Sequence, residues 1–469
     1  MSSSADQHYD LVVIGAGPAG EKGAAQAAYF GKSVAVIEKA LQPGGAAVHT
    51  GTLPSKTLRE SALYLSGYRA RDLYGVAVHL EPGTTVPHLM ARKNAIAEAE
   101  SLAIRHNLDR HKINYIAGTA HFVDPHTVRV VGPDGDHTVK GEHFLISTGS
   151  RPYRPADIAF EDELIHDSDE VLHIHKLPAS LTVLGGGVIG CEYACMFAAL
   201  GVEVQLVDAR DEILPFLDRE IIERLRTAMQ HLGIRLLQGR RWNKVERRGV
   251  SVTTTLDDGT RLLSEQLLFC AGRVGCSHGL GLENIGIEPN KRGYIPVDKR
   301  YNTVVPNVWA AGDVIGFPAL ASVSMEQGRV AVCHAFGFEY KQAVDDLMPY
   351  GIYTIPEVSA VGETEQSAAE KDIDFVVGRA LYKNNARGKI TGDLEGITKL
   401  VVDAASRRLI GVHVIGERAT ELVHIGQAAI HMGAGVDLFI DMVFNYPTLA
   451  ESYKYAAYEC LAALAKKNA

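Results

Sequence analysis

Six residues, Gly15-Ala16-Gly17-Pro18-Ala19-Gly20, stand between the apolar run Tyr9–Ile14 and a stretch of helical character, Glu21–Phe30. A second apolar run, Ser33–Ile37, closes on Glu38, 18 residues past the last glycine. Glycines at this spacing suit the binding of a dinucleotide. The first permits a tight turn, the second lets bare backbone approach a pyrophosphate, and the third lets helix and strand pack closely, while the helix amides and dipole hold the anion. Glu38 is placed to accept hydrogen bonds from ribose hydroxyls. The arrangement recurs: Leu181–Leu184, then Gly185-Gly186-Gly187-Val188-Ile189-Gly190, a helix through Leu200, the strand Val202–Val207, and Asp208, again 18 residues past the last glycine.

Thiol and metal chemistry are poorly served by comparison. The six cysteines, Cys191, Cys195, Cys270, Cys276, Cys333 and Cys460, include no pair at the two-residue spacing of zinc or thioredoxin-type sites. Cys191 and Cys195 are four apart on the helix after the second glycine loop, which suits a buried helix face better than a disulfide. The histidines are scattered without ligand spacing, so no metal site is expected.

Each glycine loop opens a strand–helix–strand unit, and each unit leads to a hairpin signal, Pro133-Asp134-Gly135 in the first and Asp257-Asp258-Gly259 in the second. Each hairpin leads to a strand ending in glycine and arginine: Thr148-Gly149-Ser150-Arg151-Pro152, and Gly272-Arg273. Two dinucleotide units therefore lie in tandem. The first is longer, with helical segments around Pro54–Tyr68 and Pro87–Arg110 inserted. Further on, Val308–Val314 is an apolar strand stopping at Gly312-Asp313, followed by a helix from about Ala321, and the Asp313 carboxylate is suited to a hydroxylated cofactor chain. From Tyr350 the pattern changes to hairpins, Leu400–Val402 with Leu409–Ile415, and an amphipathic helix Glu417–His431, which reads as a separate α+β unit.

The length of 469 residues suits about three domains. A net charge of −9 offers no electrostatic footprint for nucleic acid or an anionic membrane. The leading MSSSADQHYD has neither an apolar core nor a cleavage signature, and Leu177–Cys191, the nearest thing to a membrane span, is interrupted by three glycines and runs into Glu192. A cytoplasmic location is the expectation.

These motifs, with Ala311-Gly312-Asp313, Pro356-Glu357-Val358, Val361-Gly362 and Pro447-Thr448, resemble those of the flavoprotein disulfide reductases with two dinucleotide domains, from Tyr9 to about Ala463. The resemblance implies an α/β fold of two tandem Rossmann-like domains plus a C-terminal α+β dimerisation domain. The implied boundaries are an FAD domain in 1–155 and 279–346, an NAD(P) domain in 156–278, and a homodimer interface in 347–469. It assigns FAD to Gly15, Gly17, Gly20, Glu38, Gly44, Gly45, Lys56, Gly118, Thr148, Gly149, Asp313 and Ala321. NAD(H) or NADP(H) falls to Gly185, Gly187, Gly190, Asp208, Arg210, Gly272 and Arg273.

Two departures from the family pattern point the same way. The redox cysteine pair belongs after Gly44-Gly45, where this chain reads Ala46-Ala47-Val48-His49-Thr50-Gly51-Thr52-Leu53-Pro54-Ser55-Lys56. Ala47 and Thr52 fill the two cysteine positions, and neither can supply a thiolate. The family's thiol base, a histidine before Pro-Thr, is here Tyr446, a poor base at neutral pH, with Glu451 five residues on. Electrons are therefore expected to enter and leave as hydride. Gly51–Lys56, Gly190-Cys191-Glu192-Tyr193-Ala194 and Phe444–Thr448 resemble the soluble pyridine nucleotide transhydrogenase branch, implying hydride exchange between NADPH and NAD⁺ through one site in ping-pong order. The resemblance further implies that Lys56 and Glu192 form an ion pair beside the flavin. It also implies that Tyr446 and Glu451 reach the other subunit's flavin pocket. Asp208 suits the free ribose of NAD, and Arg210 suits a 2′-phosphate. His49 reads as a structural hydrogen bonder. Two alternatives share the cofactor residues: an NAD(P)H:quinone reductase, and a non-enzymatic subunit kept for redox sensing or assembly.

Overall fold

The structure, a computed structural model, describes residues 7–67, 73–75, 82–133 and 135–467. The segment before Gln7, the proposed helix end at Tyr68 and the turn residue Asp134 lie outside them. The first glycine loop sits at the centre of a seven-stranded sheet. Its parallel part runs Asn114–Ala117, Val34–Glu38, Gln7–Ile14, Gly135–Ile146 and Val308–Ala310. Strand Val34–Glu38 is buried throughout and Leu11–Ile14 are at most 4% exposed, as expected of parallel strands covered on both faces. Strand Gly135–Ile146 serves two neighbours along one edge. Its first half pairs antiparallel with Thr127–Gly132, and its last three residues pair parallel with Val308–Ala310. A strand that follows the whole second unit in sequence thus completes the sheet of the first.

The second glycine loop is built on a five-stranded parallel sheet ordered Arg235–Leu237, Glu203–Val207, Ser180–Leu184, Gln266–Phe269 and Ile165–Asp167. Here the extra edge strand precedes the loop in sequence. An antiparallel three-stranded sheet, Trp242–Arg248, Ser251–Leu256 and Arg261–Ser264, contains the hairpin at Asp257-Asp258-Gly259. The two glycine–arginine ends meet directly, because Ser150–Pro152 pairs antiparallel with Arg273–Gly275. The inserted helices are Thr52–Leu65 and Pro82–Arg110. The latter begins five residues before the proline expected to start it, so Pro87 lies inside the helix, where proline is ordinarily disfavoured.

From Tyr350 the chain forms a five-stranded antiparallel sheet ordered Tyr350–Ile352, Val358–Gly362, Leu409–Ile415, Ile397–Asp403 and Phe375–Leu381. Strand Phe375–Leu381 alternates buried with half-buried residues, the period of a sheet packed on one face. Helices Ala419–His431 and Ser452–Lys467 cover it, with Tyr453 and Phe439 fully buried between. Lys399, fully buried, reaches Asp218 Oδ1 at 2.6 Å and Glu220 Oε2 at 3.2 Å and also pairs with Glu365. Asp218 caps the helix Arg219–His231 of the second glycine unit, so this cluster joins that unit to the C-terminal sheet. The three acids that most resemble a ligand set therefore face an ammonium. Among the described residues no helix is long and apolar enough to cross a membrane.

Candidate active site

The two glycine loops are two copies of one scaffold. Gly15, Gly17, Gly20 and Glu38 each have a counterpart 170 positions on, in Gly185, Gly187, Gly190 and Asp208. The hydrogen bonds repeat as well. Ala16 N donates to Glu38 Oε2 at 2.7 Å, and Gly186 N donates to Asp208 Oδ2. Ala40 N donates to Glu38 Oε1 at 2.9 Å, and Arg210 N to Asp208 Oδ1 at 2.8 Å. Each acid is thus fixed by backbone amides; Glu38 keeps lone pairs free toward the cavity, whereas Arg210 occupies the remaining acceptor sites of Asp208.

The three glycines of each loop have different neighbours. A Cβ on Gly20 or Gly190 would run into the carbonyl oxygen of Gly15 or Gly185, so the third glycine is required by packing. A Cβ on Gly17 would have only Gly45 Cα, 3.8 Å away, and one on Gly187 would have no atom within 4 Å. Both second glycines have ordinary backbone angles, φ −77° and −79°. The protein itself gives no reason for glycine there. The open side of both is a single cavity of about 2830 Å³, well above the ~300–1,000 Å³ of a site for one small ligand.

Gly15, Gly17, Glu38, Gly45, Lys56, Gly118, Thr148, Gly149, Asp313 and Ala321 line this cavity, as do Gly185, Gly187, Glu192, Asp208, Arg210, Gly272 and Arg273. Gly20, Gly44 and Gly190 lie behind the loops, outside the lining. Tyr446 and Glu451 are not brought to the cavity of their own chain. Tyr446 is 76% exposed, and Glu451 ends a short turn, Leu449–Glu451, that leads into the terminal helix.

On the cavity wall Lys56 Nζ lies 2.6 Å from Glu192 Oε2. Lys56 stands on the helix Thr52–Leu65 of the first unit, and Glu192 is the fifth residue of the helix Val188–Ala199. The C-terminal unit closes the group. Tyr353 N donates to Glu192 Oε1 at 2.9 Å, and Lys56 Nζ sits 4.8 Å from the centre of the Tyr353 ring. The side chains are 24% and 8% exposed, so the pair is shielded enough for its charge to act at short range.

Asp313 is held from a distance in sequence. Arg273 Nε donates to Ser150 Oγ at 2.8 Å, and Ser150 Oγ donates to Asp313 Oδ2 at 2.7 Å. This relay orients Asp313 just ahead of the helix Ala321–Phe336. Ser150 lies in the Thr148–Pro152 motif, but its role there does not follow from the sequence, and Tyr353 stands in no spacing that marks it. Asp169 is unmarked too. Burial pushes its carboxyl up to about 6 against the pull of Arg273, and its Oδ1 has no hydrogen-bond partner.

Ala47 and Thr52 face the same cavity, with His49 between them donating from Nε2 to the Pro43 carbonyl at 2.9 Å, the structural bond expected of it. Two thiols, Cys270 and Cys276, also stand on the wall of this cavity, but they lie on the second unit's side, six positions apart in sequence, and burial holds both in the thiol form. All six cysteines are unpaired, and burial raises every one of their pKa values, Cys195 and Cys460 to about 12. Cys191 and Cys195 are fully buried in the core, as their helical spacing suggested. Thiolate is the reactive form, so the native protein at pH 7.5 should take up less than one equivalent of iodoacetamide while the urea-unfolded chain takes up all six. Labelling should rise only as pH climbs past the ordinary thiol range. Rapid native labelling at neutral pH, counted by mass, would contradict this.

The pyridine nucleotide-disulphide oxidoreductase model matches residues 9–328, and the dimerisation-domain model of the same group matches residues 348–457. The chain is 45% identical over 457 residues to the soluble pyridine nucleotide transhydrogenase of Mycobacterium bovis, with 97% of each chain covered. It is 40% identical over 458 residues to the enzyme of that name from Pseudomonas entomophila, covering 97% of this chain and 98% of the relative. Among solved structures, LpdA from Mycobacterium tuberculosis superposes with a TM-score of 0.88 at 29% identity, over 96% of this chain and 99% of that one. The HOCl-induced flavoprotein disulfide reductase RclA from Escherichia coli gives 0.87 at 29%, with the same coverage.

Proposed function

The chain belongs to the pyridine nucleotide-disulphide oxidoreductase family, and on that premise we propose that it is an FAD-dependent soluble NAD(P)⁺ transhydrogenase that works without a redox disulfide. The observation that carries this reading is the meeting of two nucleotide loops in one cavity, at the Lys56–Glu192 pair, with Ala47 and Thr52 where a dithiol would stand.

The residues present fit FAD at the first loop. Gly17 leaves its backbone bare toward the cavity, Glu38 keeps lone pairs for a ribose, and Thr148 Oγ1 is buried beside the cavity without a hydrogen-bond partner. Asp313, oriented through Ser150, can accept from a hydroxylated chain. When bound, FAD supplies the ring that takes hydride from one nicotinamide and gives it to another. The chain's own part is to bind, orient and shield. The second loop, through Gly187 and Asp208, holds whichever coenzyme is present. Lys56, fixed by Glu192, puts positive charge where negative charge develops, and the absence of thiols at Ala47 and Thr52 closes the route by which relatives pass electrons to disulfides.

Coenzyme choice centres on Asp208. Burial pushes its carboxyl up, but bonds from Arg210 and the Gly186 amide outweigh this and leave it below the usual range. Arg210 grips it in two bonds of 2.8 Å, Nε to Oδ1 and Nη2 to Oδ2. These bonds and those from the Gly186 and Arg210 amides fill the carboxylate's four acceptor sites, so Asp208 takes a ribose hydroxyl, and Arg210 a 2′-phosphate, as the guanidinium lets go of the acid.

The dimerisation-domain match, with exposed Met432, Val443, Tyr446, Tyr455 and Tyr458 all on the C-terminal unit, supports a homodimer in which Tyr446 and Glu451 serve the partner's cavity. The reading places the enzyme in the cytoplasm, where both coenzyme pools are found. Its test is anaerobic. Enzyme whose flavin has been bleached by NADPH should recover its colour on mixing with an NAD⁺ analogue within the turnover time. Recovery with quinone alone would overturn the transhydrogenase reading in favour of a quinone reductase.

A further inference from the structure

The repeated scaffold allows one copy to serve as the control for the other. In the first unit the amide that caps the carbonyl of the ribose acid belongs to Gly118, which donates to Glu38 O at 2.8 Å. In the second it belongs to Arg240, donating to Asp208 O at 3.0 Å, and the preceding Gly239 N donates to Arg210 O at 2.9 Å. The following residues are Thr119 and Arg241. The position two past the acid is Ala40 in the first copy and Arg210 in the second. Three positions around the ribose acid are therefore Ala, Gly and Thr in one copy and Arg, Arg and Arg in the other, and all six line the cavity. Directly after the acid the first copy has Lys39, where the second has Ala209.

The adenosine ribose of FAD carries no 2′-phosphate, whereas that of NADP(H) does. Arg240 and Arg241 have little to hold within the fold. Arg240 has only a 3.4 Å ion pair with Asp258, and the exposed side chain of Arg241 has no hydrogen bond or ion pair among the described residues. We propose that Arg240 and Arg241, together with Arg210, form the 2′-phosphate subsite that admits NADP(H) to a ribose pocket whose acid, Asp208, also serves NAD(H). Two backbone hydrogen bonds tie the Gly239–Arg241 loop to Asp208 and Arg210, so the three guanidinium groups are carried on one locally fixed frame. Guanidinium suits this task because it binds phosphate in two parallel bonds and stays charged. This inference rests on the reading that both coenzymes use the second glycine loop.

The test uses the FAD-bound enzyme and two probes that do no redox chemistry, adenosine 2′,5′-bisphosphate and 5′-AMP, titrated by calorimetry. The native enzyme should bind the bisphosphate at least tenfold more tightly. Arg240→Ala and Arg241→Ala should each reduce that preference about tenfold, with Arg241→Lys keeping part of it, and the salt dependence of bisphosphate binding should become shallower. Equal losses for both probes, or no loss for either, would overturn the subsite. Because the probes bypass hydride transfer, failure of the transhydrogenase reading would appear separately, as absent recovery with the NAD⁺ analogue in an enzyme that still prefers the bisphosphate.

Discussion

Replacing Lys56 with methionine is expected to slow flavin reduction by NADPH about 100-fold while the protein still carries FAD. Methionine keeps the apolar stem and removes the charge. A unit charge ~4 Å from a developing charge contributes about 4 kcal/mol at an effective dielectric constant near 20, and about 2.7 kcal/mol corresponds to 100-fold in rate. The same change strands Glu192, whose side chain is 8% exposed and would retain only the Tyr353 amide. A buried carboxylate short of a partner costs roughly 1–3 kcal/mol, so the variant should also melt earlier. The double variant Lys56→Met, Glu192→Gln separates the two effects. Removing the stranded charge should restore most of the stability but not the rate. The flavin midpoint potential should fall in both variants, because a cation that favours the reduced cofactor is gone. Stopped-flow bleaching at the native rate in the double variant would show that the pair only holds the helices together.

What was legible in the sequence follows the range of the interaction concerned. The glycine loops and their acids are local, since a turn, a helix start and a strand end lie within about 25 residues, and the structure places Gly15, Gly17, Glu38 and their counterparts on one cavity. Lys56 and Glu192 are 136 residues apart, and no periodicity links them; family resemblance alone put them together. Contacts between distant segments were not legible at all, even where a motif supplies the residue. Ser150 reaches Asp313 across 163 positions, Tyr353 reaches Glu192 across 161, and the edge strand Ile165–Asp167 is three residues long with no pattern of its own. The Arg240–Arg241 pair looks in sequence like an ordinary charged loop. Only its backbone bonds to Asp208 and Arg210, set against the Gly118 equivalent, give it a position.

The second glycine of each loop yields the other large expected effect, and it tests the ligand rather than the fold. Gly187→Ala introduces a methyl that meets no protein atom within 4 Å, at backbone angles any residue adopts. Stability should change by no more than about 0.5 kcal/mol, and the purified protein should stay yellow. The methyl does occupy the face that a pyrophosphate must approach, so affinity for NADPH and NADH should fall together, by about 100-fold. Their ratio should hold, unlike the outcome for Arg241→Ala, because the pyrophosphate is common to both coenzymes. Gly17→Ala should give the reciprocal result, a folded but colourless protein, since its added methyl has only Gly45 Cα at 3.8 Å beside it. Gly20→Ala and Gly190→Ala lack this discrimination, because each drives a methyl into a carbonyl of its own loop and perturbs the fold together with the ligand. The contrast between second and third glycines therefore separates binding from packing at both sites. Native coenzyme affinity in Gly187→Ala, measured by titration, would show that the pyrophosphate does not cross this loop.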